Sequence, residues 1–237
     1  MSLTTVIIFG GSSGIGEATA KKLTLNGLRV IIVGRDRNRL EEARARIGAG
    51  VELASVDATN RAAVNDFFEQ VGGFQHLVLS FSGGKGAGLF KNLNLDDIRS
   101  GMERKFFAQI SVAQSALTNL EVGGSITFIS AGSARVAIPG TMGLAAINGA
   151  IETIVPVLAK ELAPMRINAV SPGIIDTPWW NMMPKESKEA IFKQTAEGLP
   201  VCRIGRPEDV AQAITFLIED TFVTGTIIEV DGGAHLG

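Results

Sequence analysis

The chain has 237 residues, of which 46% are hydrophobic and 19% are charged, and its formal net charge is −2. This length and balance predict one globular domain with a large core, and the absence of a basic block excludes a nucleic-acid partner. The single cysteine, Cys202, excludes an internal disulfide and favours a reducing compartment, while no signal peptide and no membrane-spanning apolar run are expected.

Short apolar runs alternate along the chain with segments of helical periodicity. This alternation predicts βαβ units, in which helices connect parallel strands. Strands are predicted at residues 5–9, 29–33, 51–55, 76–80, 125–129, 166–170 and 226–230, and helices at 15–26, 37–47, 61–71, 96–120, 141–163 and 207–219. We therefore expect an α/β protein: a single Rossmann domain over residues 1–237, with a doubly wound seven-stranded parallel sheet and helices on both faces.

The stretch 9–16, Phe-Gly-Gly-Ser-Ser-Gly-Ile-Gly, connects the first predicted strand to the first predicted helix. Gly10 permits a tight turn, Gly14 lets the backbone approach a pyrophosphate, and Gly16 allows the helix to pack closely on the strand. The helix N-terminus supplies free N–H groups for the anion. An ordinary strand-to-helix turn is the alternative. Further candidate cofactor contacts in this turn are Ser12, Ser13 and Ile15.

The second predicted strand ends in Gly34 and Arg35. An NAD site usually has an acidic residue here for the ribose 2′-hydroxyl, whereas a guanidinium suits the 2′-phosphate of NADP(H). The sequence therefore favours NADP(H), unless Arg35 only begins an exposed basic loop with Arg37 and Arg39.

The third predicted strand is followed by Asp57 and Ala58, which are candidates for the adenine end of the cofactor site. The Asp57 carboxylate suits the adenine amino group. Alternatively, Asp57 is a helix cap before Asn60.

Together these motifs resemble the short-chain dehydrogenase/reductase superfamily over nearly the whole chain. The resemblance also rests on Asn168–Gly173 with Thr177, on Arg206–Val210, and on Thr224-Gly225 followed by Asp231–Gly233. It implies a cytoplasmic Rossmann-fold oxidoreductase that is commonly a homotetramer. It also implies that a Pro-Gly loop approaches the nicotinamide and that Thr177 holds its carboxamide. The cofactor contacts expected from the resemblance are Ser82, Gly83, Asn148, Pro172, Gly173, Ile175 and Thr177.

The chain departs from this family at the catalytic positions. The family's Ser and Tyr fall on Ala131 and Leu144, its Lys falls on Asn148, and its Asn falls on Lys105. In the family, the phenol gives a proton to the alkoxide that forms when a ketone accepts hydride. This chain contains no tyrosine, so the family's usual mechanism is excluded.

Four polar residues are candidates for the missing proton chemistry. Ser130 and Ser133 flank Ala131, but an unactivated hydroxyl is a poor acid at neutral pH. Asn148 lies one turn after Leu144 and suits the nicotinamide ribose, although it carries no charge. Lys105 falls on a partly apolar helical stripe with Ile98, Met102, Gln109 and Val112, where desolvation would lower its pKa. The alternative is a lysine that extends its ammonium to water.

The region at about 178–200 matches the family's substrate lid. It contains Trp179, Trp180, Met182 and Met183, which favour a small apolar substrate, although core packing or a subunit contact explains them equally well. His76 and His235 show no ligand spacing, and no metal is expected. Cys202 is interpreted as a small buried hydrophobic residue.

Three functions are compatible with the sequence. The first is an atypical NADP(H)-dependent oxidoreductase with a non-standard proton donor. The second is a catalytically inactive NADP(H)-binding sensor or partner subunit, and the third is non-redox chemistry on the same scaffold. A homo-oligomer, most simply a tetramer, is expected from the surplus of apolar residues in the two long predicted helices. These residues are Phe106, Phe107, Ile147, Ile151 and Ile154.

Overall fold

Seven parallel strands form one sheet in the computed structural model, which describes residues 3–236. The strands are β1 (Thr5–Phe9), β2 (Arg29–Gly34), β3 (Val51–Ser55), β4 (Phe74–Leu79), β5 (Leu120–Ile129), β6 (Arg166–Pro172) and β7 (Ile227–Val230). Their order is β3-β2-β1-β4-β5-β6-β7, and every neighbouring pair is parallel. The predicted doubly wound, seven-stranded parallel sheet is thus confirmed.

The strands are continuous apolar runs because both faces of the sheet are covered. In β1, Ile7 and Phe9 belong to one core layer, and Val6 and Ile8 belong to the opposite layer. This alternation follows from the two-residue period of a strand. Each core layer is closed by helices, so the prediction of helices on both faces is also confirmed.

The helices are α1 (Gly14–Leu25), α2 (Arg37–Ile47), α3 (Arg61–Val71), α4 (Leu95–Gly101), α5 (Ala108–Ala116), α6 (Met142–Glu161), α7 (Lys185–Gly198) and α8 (Pro207–Glu219). Buried residues of α1, α2 and α8 share one core layer, and those of α3, α5 and α6 share the other. The chain reverses its direction of winding between β1 and β4. In such sheets a ligand binds at the carboxyl ends of the strands beside this reversal.

The single helix predicted at 96–120 is wrong in two respects. A π-helical segment, Met102–Phe107, separates α4 from α5, and the helix ends at Ala116 because β5 already begins at Leu120. A side chain at Gly101 would collide with Ile147 of α6 and with the backbone of Lys85, so α4 approaches both closely. A π turn accommodates an extra residue within a helix and is often found at functional sites.

The long helix α6 is apolar enough, by length and composition alone, to cross a membrane, which corrects the expectation that no stretch approaches that character. Its inner side packs in the core through Ile147, Ile151 and Val155. The core helix of a globular protein passes the same test. Ile147 and Ile151 are therefore accounted for within one subunit, and they no longer support an oligomer.

Candidate functional site

The glycine turn between β1 and α1 has the geometry that its sequence predicts. Gly10 has a φ of +82°, and a Cβ there would collide with the backbone of Ser80. A Cβ on Gly16 would overlap with the backbone of Gly10, so only glycine allows α1 to begin this close to the strand. Gly14 has a φ of +55° and lies beside Thr177, where an added Cβ would be 3.1 Å from Thr177 Cγ2.

A cleft of about 690 Å³ opens at the N-terminus of α1. Ser13 precedes this helix with extended backbone, and its side chain makes no capping hydrogen bond, so the N–H groups of the first turn are left for water or a ligand. An anionic pyrophosphate fits this end of the cleft by charge and hydrogen bonding. The cleft is lined by Ser12, Ser13, Gly14, Glu17, Ala18, Lys21, Arg39, Glu42, Arg46, Pro178, Pro207 and Glu208.

Two arginines follow the end of β2, and one of them lines this cleft. Arg35 is exposed directly after β2, and its carbonyl oxygen accepts a hydrogen bond from Ser55 Oγ. Arg39 lines the cleft and donates from Nη2 to Ser13 Oγ at 3.4 Å. The sequence interpretation assigned Arg39 only to a basic loop. A second arginine four residues after Arg35, on the first turn of α2, is the signal that could have indicated that Arg39 lines the cleft.

Asp57 stabilises a turn. Its Oδ1 accepts from Thr59 N at 3.0 Å and from Thr59 Oγ at 2.8 Å, and the backbone hydrogen bond is the largest cause of the lowered pKa of this carboxyl. Asn60 caps α3, because its side chain accepts from Ala63 N. The alternative of Asp57 as the helix cap is therefore wrong, and its adenine contact stays a prediction. Ala58 is partly buried against the core.

The segment after β4 packs against the π-helical segment. Ser82 Oγ accepts from Gly84 N at 3.3 Å. An added Cβ at Gly83 would be 2.9 Å from Gly101 O and 3.4 Å from Lys105 Cβ. Glycine at this position therefore lets the loop approach the helix that carries Lys105.

The Pro-Gly loop begins at the end of β6. A Cβ on Gly173 would come within 2.7 Å of Asp231 Cα, so Pro172 and Gly173 lie against the chain after β7. Ile175 is buried in the core, and its carbonyl oxygen accepts from Trp180 Nε1 at 2.9 Å. The Ile175 side chain is thus a core contact, and its backbone anchors the start of the region at 178–200.

Lys105 lies inside the protein, with only 7% of its surface exposed. Its Nζ donates to Asn148 Oδ1 at 2.6 Å and to Ser130 O at 3.0 Å. The alternative in which its ammonium extends to water is therefore wrong. Burial lowers the pKa of Lys105 to about 8, against the opposing effect of the Glu152 charge.

Asn148 connects Lys105 to the loop after β5. Its Nδ2 donates to Ser133 Oγ at 3.1 Å and to Leu144 O at 2.9 Å. Ser133 and Leu144 are half-buried. The structure thus places Lys105, Asn148 and Ser133 in one hydrogen-bonded chain.

Ser130 contributes its carbonyl oxygen to Lys105 and turns its hydroxyl elsewhere. Ser130 Oγ donates to Glu152 Oε1 at 2.7 Å. Neighbouring Ala131 is half-buried with extended backbone and offers no hydroxyl. The hydroxyl of Ser130 is therefore less available to a substrate than that of Ser133.

Sequence reasoning missed an ionic network beside this chain. Glu152 Oε2 accepts from Arg135 Nε at 2.8 Å, and Arg135 Nη1 donates to Glu229 Oε1 at 2.8 Å. His235 Nδ1 lies 2.8 Å from Asp231 Oδ2 and 2.9 Å from Glu229 Oε2, and the hydrogen bond to Asp231 raises the His235 pKa. One signal was available in the sequence: Glu152 is the only acid on the inner side of an otherwise apolar helix.

Glu229, Asp231 and His235 lie close enough together to hold a metal ion. Arg135 already supplies a positive charge to Glu229, so the cluster is explained as an ion-pair network.

Cys202 is exposed in a turn with a φ of +52°, and its interpretation as a buried hydrophobic residue is wrong. Its backbone N–H donates to Leu199 O, which holds it in that turn.

The aromatic residues of the region at 178–200 pack largely on one another. Trp180 contacts Trp179 and Phe192 edge to face, with ring centroids 4.9 and 5.4 Å apart. Met182 is exposed, and α7 contains no fully buried residue. This segment therefore has its own small apolar cluster and only a shallow attachment to the core.

The glycine turn, the cleft at α1 and the reversal of the sheet define a dinucleotide-binding α/β protein, and comparison with known proteins identifies its family. Residues 10–235 match the family model described as Enoyl-(Acyl carrier protein) reductase. The chain is similar to a short-chain dehydrogenase/reductase, ATR9, of Stachybotrys chlorohalonatus, with 31% identity over 98% of this chain and 97% of the relative. It is 32% identical to a 3-oxoacyl-[acyl-carrier-protein] reductase of Bos taurus, over 97% of both chains.

A crystal structure of a small-chain dehydrogenase in complex with NADPH has the same fold. Its TM-score is 0.85, with 33% identity and coverage of 100% of both chains. The chain belongs to the short-chain dehydrogenase/reductase superfamily of oxidoreductases.

Proposed function

We propose that this chain is an atypical NADP(H)-dependent oxidoreductase in which Lys105 replaces the missing phenol as proton donor. The observation that carries the proposal is the buried Lys105 ammonium, bonded to Asn148 and to the Ser130 carbonyl at the carboxyl end of the sheet. The atypical character rests on Ala131 and Leu144 at the usual serine and tyrosine positions. The family resemblance supports a cytoplasmic location.

The cofactor would lie along the carboxyl ends of the strands. The glycine turn and the first turn of α1 would hold its pyrophosphate, Arg35 and Arg39 its 2′-phosphate, and Asn148 its nicotinamide ribose. When bound, NADPH supplies a hydride. The residues expected to complete the site are Asp57, Ala58, Ser82, Gly83, Pro172, Gly173, Ile175 and Thr177.

Lys105 has the properties of an acid that works near neutral pH. An ammonium whose pKa is about 8 is largely protonated at pH 7 and releases its proton more readily than an ordinary lysine. It has three N–H donors, and two of them bond Asn148 and Ser130. The third donor is left for a substrate oxygen or for a water that connects to one. Asn148 donates to Ser133 and thereby leaves the Ser133 hydroxyl proton free to orient the substrate.

The charge of Lys105 favours a substrate that becomes anionic as hydride arrives. A conjugated enone yields an enolate, whose oxygen the ammonium stabilises before any proton moves. A simple ketone yields a more basic alkoxide, which requires a proton donor in line with it. We therefore infer a small apolar conjugated carbonyl compound as substrate, covered by the proposed lid at about 178–200 with its Trp and Met side chains.

Single-turnover oxidation of bound NADPH tests this function. Purified protein is mixed with NADPH and then with matched enones, imines and ketones of equal size, and nicotinamide absorbance is followed. We expect the enones to react fastest and the saturated ketones slowest. Tight NADPH binding with no oxidation by any acceptor supports the second candidate, an inactive sensor or partner subunit. The engagement of Ser130 Oγ by Glu152 favours that candidate.

We also propose a homotetramer that buries the outer sides of the π-helical segment and α6. Phe107 is 52% exposed and Val157 is 60% exposed, and Ile154 is half-buried. Exposed apolar residues on two neighbouring helices are typical of a subunit contact.

Light scattering at micromolar concentration is expected to give a tetramer for the wild type and a smaller species for Val157→Glu. The introduced carboxylate would be buried without a partner in the interface. Leu25→Glu, on the opposite side of the sheet at the end of α1, is the matched control and should remain tetrameric. A monomeric wild type contradicts the proposal.

A further inference from the structure

The second buried charge near the candidate active site is Glu152, which has no counterpart in the motifs that define the family resemblance. It is 8% exposed and lies on α6, one helical turn after Asn148 and on the same side. Its two carboxylate oxygens have different partners, Ser130 Oγ and Arg135 Nε. Ser130 is also the residue whose carbonyl oxygen accepts from Lys105.

We propose that Glu152 is a positioning residue that holds Lys105 in its buried site and keeps it charged. This inference rests on the function proposed for Lys105. Glu152 acts through Ser130 and through its electric field, and no contact between Glu152 and a substrate is required.

The positional effect follows from the hydrogen bonds. By accepting from Ser130 Oγ, Glu152 fixes the residue directly after β5 and thereby aims the Ser130 carbonyl at Lys105 Nζ. Glu152 also shares one face of α6 with Asn148, so the acceptor Asn148 and the carboxylate that holds Ser130 lie on the same helix. Two neutral acceptors position a lysine well, but they do not compensate its charge.

The effect of Glu152 on the protonation of Lys105 follows from the arrangement of the charged groups around it. Among the described residues no carboxylate contacts Lys105 directly, and Glu152 is the anion that favours its protonated form. Arg135, which is bonded to Glu152, opposes this effect, and Glu229 partly compensates Arg135. The ammonium, the carboxylate and the guanidinium therefore alternate in sign from the pocket to the end of β7.

The other charged groups around Lys105 are paired or point outward. In the loop after β4, Lys85 pairs with Asp97 of α4 at 3.2 Å. Glu103 and Arg104, on the π-helical segment itself, are exposed. His235 and Asp231 lie on the far side of Glu229. Among residues 3–236, Glu152 is therefore the buried acid placed to act on Lys105.

The substitution Glu152→Gln separates charge from shape, because the amide keeps an acceptor for Ser130 and removes the negative charge. Side-chain nitrogen NMR of isotope-labelled lysine, in a deuterated background, measures the Lys105 titration directly. The resonance is assigned by its absence in Lys105→Met. We expect the titration midpoint of Lys105 to fall by about one pH unit or more in Glu152→Gln. In Glu161→Gln, at the exposed end of α6, it should not change.

If Glu152→Gln does not fold, Arg135→Gln gives the second test, because removing the opposing cation should move the midpoint upward. An unchanged midpoint in a folded Glu152→Gln protein, or a midpoint that does not rise in Arg135→Gln, overturns the proposal. The titration needs no substrate. The Lys105 midpoint could shift as expected although none of the tested acceptors is reduced by bound NADPH. That combination would reject the proposed function and retain the role of Glu152.

Discussion

Replacing Lys105 with Met is expected to lower the single-turnover rate of NADPH oxidation by about 10²–10⁴-fold, the range typical for loss of a general acid. Met has a similar length and suits the apolar surroundings, so it removes the ammonium with little change of shape. The hydrogen bonds to Asn148 Oδ1 and Ser130 O are lost with it. Stopped-flow absorbance with a reactive enone measures the effect, and circular dichroism checks that the variant is folded.

The rate of NADPH oxidation should depend on pH through the protonation of Lys105. Lys105 acts in its protonated form, so the wild-type rate should be highest below its pKa of about 8 and should fall as pH rises through that value. The Lys105→Met variant should show no such decline. Leu144→Tyr should not restore ketone reduction, because the position one turn later is Asn148 and the phenol would lack the adjacent ammonium. An unchanged rate in Lys105→Met would exclude the lysine from the chemistry.

Arg35→Ala is expected to weaken NADPH binding by about tenfold to a hundredfold, which corresponds to about 1.5–3 kcal/mol for hydrogen bonds to a charged group. Binding of NADH should be unaffected, because it carries no 2′-phosphate. Among residues 3–236, Arg35 makes no salt bridge, so no ion pair has to break before its guanidinium binds an anion. Calorimetric titration with both cofactors measures the difference.

Arg37→Ala is the matched control for this prediction. Arg37 lies two residues further along and is already paired with Glu41 at 2.7 Å, so its loss should leave the NADPH affinity nearly unchanged. Equal affinities of the wild type for NADPH and NADH, or full NADPH affinity in Arg35→Ala, would contradict the assignment.

The sheet could be predicted from sequence because its strands are short β-branched runs between turn residues. The run Thr5–Phe9 is buried throughout. After it, Gly10 and Gly14 have positive φ, and Gly10 and Gly16 make the close backbone contacts that their spacing indicated. Helical periodicity likewise placed Lys105, Gln109 and Val112 on one buried side. The same periodicity could not show the π-helical segment, because the inserted residue depends on the packing of Gly101 against α6.

The charged surroundings of Lys105 could not be predicted for a different reason. Glu152, Arg135 and Glu229 come from α6, from the loop after β5 and from β7, and only the pairing of β5 with β6 and of β6 with β7 brings them together. The prediction that Cys202 is buried is wrong because the turn that contains it, and not the polarity of its side chain, determines its exposure. Local patterns thus located the Lys105 position, whereas its electrostatic environment depends on long-range contacts.

A crystal structure of the NADPH complex tests the role of Lys105 most directly. We expect Lys105 Nζ to remain bonded to Asn148 Oδ1 and to lie at about 2.7–3.2 Å from a nicotinamide-ribose hydroxyl, or from a water that contacts the pocket. Asn148 should face the same ribose. A structure in which NADPH is bound, while the Lys105 ammonium points away from the nicotinamide and no water connects them, would contradict the proposal that this lysine replaces the missing phenol.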